Sequence, residues 1–100
     1  MSALTKLIKE YNVFGSPKID ARQVTMGDAL RMFKYIDHQM EPEWLYRDGE
    51  ASYYEIDTRH RLLKRAAKEL VLKGFRVPDG ISNFPQWRKL GPLSNELVEK

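Results

Sequence analysis

The chain contains no cysteine among its 100 residues. Disulfides, thiolate zinc sites and thiol catalysis are thereby excluded, and the composition fits a reducing compartment. It also lacks an apolar run of the roughly 18 residues needed to cross a bilayer. The opening MSALTKLIKEYNVFG is amphipathic, without the unbroken apolar centre of a signal peptide. The expected location is cytoplasmic, with no membrane partner. Missing too are a phosphate loop, a paired GxG and a GxSxG serine context. No cofactor, small-molecule substrate or catalytic residue is assigned, and the chain is read as a non-enzyme.

Histidine is scarce, with two in the chain. Asp37, His38 and Glu41 crowd together, and Asp57 lies three residues before His60. A histidine beside carboxylates can bind a divalent metal or relay a proton. However, Pro42 breaks the helix just past His38, and His60 flanks an apolar stripe, so no metal site is assigned either.

What the chain does have is segregated charge. The net charge is +3, but residues 41 to 57 carry six acids against Arg47, a balance of −5. Residues 58 to 89 carry nine bases against Glu69 and Asp79, a balance of +7. Such segregation creates a strong local field that a charged partner meets first. The apolar fraction of 42% and the length together suit one compact domain spanning 1–100 with a modest core.

The organising stretch is 57 to 74, DTRHRLLKRAAKELVLKG. At roughly 100° per residue, Leu62, Leu63, Ala66, Ala67 and Leu70 share an apolar stripe, with Arg61, Lys64, Arg65 and Lys68 opposite. Gly74 supplies the left-handed stop. Upstream, Ser2 caps a helix from 3 to about 11, with Leu4, Leu7, Ile8 and Tyr11 inward. A connector anchored by Ile19 and Val24 leads to Thr25, which with Asp28 forms a capping box for a helix from 26 to about 40. In that helix Ala29, Leu30, Phe33, Tyr35, Ile36 and Met40 form a broad apolar stripe. Residues 44 to 56 read either as a hairpin about Asp48-Gly49 or, preferably, as the main helix continued back to about 50.

After Gly74, FRVPDGISNF reads as a hairpin turning at Pro78-Asp79-Gly80. The fold expected is mainly α, a small single-domain bundle of three to four helices with a β-hairpin near 75–84. A short turn at 85–90 and a last helix capped by Ser94 complete the reading.

Two functional readings follow. Exposed methionine and aromatic side chains suit a protein interface, for which Met32, Tyr35 and Tyr54 are the candidates. An adaptor or inhibitor would present acidic 41–57 and basic 58–89 to another protein, or to a second copy of itself. The alternative is DNA or RNA, with Arg61, Lys64, Arg65, Lys68 and Arg76 neutralising phosphates and Tyr54 stacking beside them. A basic helix followed by a hairpin resembles, over about 57 to 84, the recognition helix and wing of winged-helix DNA-binding domains. That resemblance rests on layout, implies a helix in the major groove and a wing on the backbone, and departs at 40 to 50, where such folds have a short turn.

Overall fold

The computed structural model describes residues 1–40 and 53–81, and their side chains except those of 53–57. Three helices account for most of them: α1 (Ala3–Phe14), α2 (Met26–Gln39) and α3 (Tyr53–Leu72). Each begins or ends where local chemistry dictates. Ser2 Oγ accepts from the Thr5 amide at 3.1 Å, satisfying one orphan donor of α1. At α2, Thr25 Oγ1 accepts from Asp28 N, and Asp28 Oδ2 accepts from Thr25 N, both at 3.1 Å. Aspartate thus completes a box usually closed by the longer Glu or Gln.

The end of α3 is a Schellman motif. Gly74 N donates to Val71 O at 2.9 Å and Phe75 N to Leu70 O at 3.1 Å. This pairing requires Gly74 in the left-handed region, where its φ is +103°. Phe75 then folds back against the core.

Packing follows from the helical stripes. Leu4, Leu7 and Ile8 of α1, Ala29, Met32, Phe33 and Ile36 of α2, and Leu63, Ala66, Ala67 and Leu70 of α3 form one buried cluster with Ile19 and Met40. Helix α3 packs against both others, more extensively against α1. The two alanines favour this packing, because a side chain of one carbon lets another helix's larger residues seat against the backbone. Each fully buried Leu, Ile, Phe or Met stabilises the fold by about 2 kcal/mol relative to exposure.

Helices α1 and α3 run antiparallel. The amide of Leu4, near the start of α1, donates to Glu69 Oε2 at 2.7 Å near the end of α3. Glu10 meets Arg59 at the opposite end. A carboxylate at a helix N-terminus answers both an unpaired amide and the positive end of the helix dipole.

The connector is tied back to α1 by the Asn12 side chain. Asn12 Nδ2 donates to Ile19 O at 2.8 Å, while Asn12 Oδ1 accepts from Ile19 N at 2.9 Å. That two-way amide contact seats the expected anchor Ile19 in the core, and Val24 packs beside it.

Three expectations are revised. First, α1 runs one turn beyond Tyr11 to Phe14, since the Asn12 side chain bonds outside its own helix and leaves the backbone ladder intact. Second, the turn of the proposed hairpin is present, with Gly80 at φ +87°, but no strand occurs among the described residues. Residues 75–77 have no regular secondary structure, and 82–84 lie outside the described residues. Third, Leu30 is exposed, because Ala29, Met32, Phe33, Ile36 and Met40 hold the centre of the α2 stripe. The choice between hairpin and helix at 44–56 is met from Tyr53 onward by helix, and 41–52 lie outside the described residues. So do the short turn at 85–90 and the helix after Ser94.

Two glycines give opposite expectations. Gly74→Ala places a Cβ at positive φ and should lower stability by about 1 kcal/mol. Gly27→Ala in the first turn of α2, where the nearest atom to a new Cβ is Thr25 Oγ1 at 3.9 Å, should raise it by a few tenths to about 1 kcal/mol. Urea denaturation midpoints of the two variants should therefore move in opposite directions.

Candidate functional site

One polar group of the described structure joins all three helices. Arg59 of α3 grips Glu10 of α1 with two parallel bonds, Nη1 to Oε1 at 2.7 Å and Nη2 to Oε2 at 2.5 Å. Nη2 also donates to Gln39 Oε1 of α2 at 3.0 Å. The Tyr35 hydroxyl of α2 donates to the same carboxylate, at Oε2. Its ring meets Tyr11 of α1 edge to face, with centroids 5.5 Å apart at 81°.

Electrostatics follow from this geometry. The Arg59 bonds hold the Glu10 carboxyl below the usual carboxylate range, opposed by partial burial and helped by the Tyr35 bond. Burial, then the bond to anionic Glu10, pushes the Tyr35 hydroxyl up to about 12. The Arg59 guanidinium is held above its ordinary value, chiefly by its bonds to Glu10. Carboxylate and phenol are thus locked in their charged and neutral forms. Neither is poised to move a proton near neutral pH, and the cluster is best described as a clamp.

One turn beyond Glu10 lies the most exposed large apolar residue of the described chain, Phe14, at 94%. Val13 beside it is also exposed. The helix end that carries them is braced. Gly15 N donates to Tyr11 O at 2.7 Å, and the Lys18 ammonium donates to Asn12 O and to Gly15 O. Gly15 is required by a close approach, since a Cβ there would lie 2.5 Å from the Tyr11 ring.

The residues singled out from the sequence fare unevenly. Arg61 and Arg65 lie on the exposed face of α3, and Arg76 is exposed after it. Lys64 is not on that face: it is 4% exposed. It follows Leu63 and sits within about 60° of Ala67 around the helix, so its aliphatic stem lies along the core edge. Lys68 is half-buried.

Met32, expected at a surface, is wholly buried. It lies three residues after Ala29 and four before Ile36, at the middle of the α2 stripe. Tyr35 is half-buried and engaged through hydroxyl and ring. The side chain of Tyr54 lies outside those described. His38 is exposed, His60 half-buried, and no cluster of three metal-ligating side chains occurs among the described residues.

Sequence reasoning counted Arg59 only as one of the nine bases of 58 to 89 and left Glu10 without a role. A signal was present. Arg59 precedes Leu63 by four and Glu10 follows Leu7 by three, so opposite charges interrupt two apolar stripes. No helix among the described residues is long and apolar enough to cross a membrane. No protein-family model, curated protein or solved structure matches the chain.

The clamp predicts an acid limb. Because the folded state holds the Glu10 carboxyl below its unfolded value, its contribution is complete above the usual carboxylate range and is lost as pH falls through the lowered value. Glu10→Gln should flatten that part of the stability profile. Arg59→Met should cost about 1–2 kcal/mol near neutral pH, the half-exposed pair being weaker than a fully buried one. Denaturant titrations between pH 3 and 7, about the carboxylate range, check both.

Proposed function

We propose that this chain is a small non-enzymatic regulatory protein that acts in the cytoplasm by binding another protein, as an adaptor or inhibitor. The observation that supports the reading is Phe14, almost fully in water on a helix end tied to the rest of the fold by the Asn12, Lys18 and Glu10–Arg59 contacts. The helical backbone at Phe14 is already formed, so docking has only the side-chain torsions to order, and burial of the ring contributes most of its transfer free energy. Val13 enlarges the same contact. Because Met32 is core and Tyr35 is half-buried, the interface moves from α2 to the end of α1. The opposite charges of 41–57 and 58–89 would orient the partner more than hold it.

A nucleic-acid reading stands second, favoured by the exposed positions of Arg61, Arg65 and Arg76. Burial of Lys64 removes one cation from it.

Capture of partners from extract by the immobilised chain should recover a stoichiometric protein that is lost with Phe14→Ser and retained with Met32→Leu. A strictly monomeric chain that recovers none would overturn the reading. For the second reading, duplex binding should weaken with a slope of log affinity against log salt of about −3, from about three phosphate contacts. No binding at low salt removes it.

A further inference from the structure

We propose that the end of α1 docks into an apolar pocket whose rim carries carboxylates, with Phe14 as the inserted side chain. The inference rests on the protein-binding reading above and names the partner's chemistry. Lys6, Lys9 and Val13 fall at i, i+3 and i+7 on the solvent face of α1, all exposed. Lys18 closes the far side, its ammonium held against the Asn12 and Gly15 carbonyls at the base of Phe14. Val13 therefore has Lys9 one turn behind it, and Phe14 has the Lys18 ammonium at its base, so cations border the apolar pair on two sides.

The nearby acids do not cancel them. Glu10 is matched by Arg59, and Asp20 takes the Arg22 amide at 2.9 Å and lies 3.4 Å from its guanidinium. Cations on two sides of an apolar knob are complementary to an apolar hole that carries Asp and Glu on the matching sides of its edge. A symmetric dimer through the same face is disfavoured, since it would bring two lysine sets together. An anionic bilayer would satisfy the lysines, but Val13 and Phe14 alone offer it little apolar area.

A random peptide display library, presented to the full chain, tests this without a known partner. Selected peptides should combine large apolar residues with Asp or Glu. Binding of a labelled winner, read by fluorescence anisotropy, should weaken about tenfold or more with Phe14→Ser, the loss expected for one buried aromatic. Lys9→Glu should weaken it less and should improve binding of the same peptide carrying Lys in place of Glu. Phe14 is exposed, so both variants should keep the wild-type circular dichroism spectrum and melting midpoint.

Winners that are basic or of mixed charge, or that bind Phe14→Ser as tightly as wild type, overturn the proposal. So does stronger flotation with phosphatidylserine vesicles than with peptide, or a sedimenting dimer abolished by Phe14→Ser. Winners insensitive to Phe14 but lost with Met26→Ser overturn this surface while leaving the protein-binding reading intact. A monomer that selects no peptide and captures no protein overturns both.

Discussion

Helix α3 carries a face of Leu63, Ala66, Ala67 and Leu70 that is fully removed from water, and the placement of everything else follows from filling it. Small side chains at its centre admit a close neighbour, and α1 takes that place with Leu4, Leu7 and Ile8. Apolar packing of this kind supplies energy but little direction, because many rotations of two greasy stripes bury similar area. Direction comes from polar contacts at the two ends of the α1–α3 pair. Glu69 receives the Leu4 amide at one end, and Arg59 receives Glu10 at the other. Together they fix how far α1 slides along α3.

The same division of labour connects fold to proposed function. Arg59 joins α1 to α3 and also reaches Gln39 of α2, while Tyr35 of α2 bonds the shared carboxylate. Tyr11 is trapped between Tyr35 and the Cβ-free surface of Gly15. One turn further on, Phe14 leaves the helix end that these contacts tie down, with its own side chain in water. A backbone already fixed in a helix lowers the entropic cost of binding, which is the physical link between the clamp and the interaction site proposed beside it.

Charge acts differently in the two halves of the molecule. Cations on α3 are partly withdrawn, as the burial of Lys64 and half-burial of Lys68 show, whereas Lys6 and Lys9 on α1 remain in water. A long aliphatic stem lets lysine serve as core edge, so a helical wheel that sorts residues by charge alone places it on the wrong side. For Met32 the opposite error arises. Its flexible apolar chain suits both core and interface, and only its place within the stripe separates them.

Sequence alone determined the helices, because their signals are local. Ser2, Thr25 with Asp28, and Gly74 act through bonds spanning a few residues, and the stripes of α1 and α3 repeat at the helical period whatever lies nearby. The Pro78-Asp79-Gly80 turn was legible for the same reason, while strands beside it were not, since a strand needs a partner that its own residues do not specify. Only tertiary structure decided which charges met, which methionine went inside and which aromatic stayed out. Glu10 and Arg59 are 49 positions apart, and nothing in the residues between them states that α1 and α3 will run antiparallel in that register. Exposure of Phe14 likewise depends on where the neighbouring helices end, a property of the assembled bundle and of no single segment.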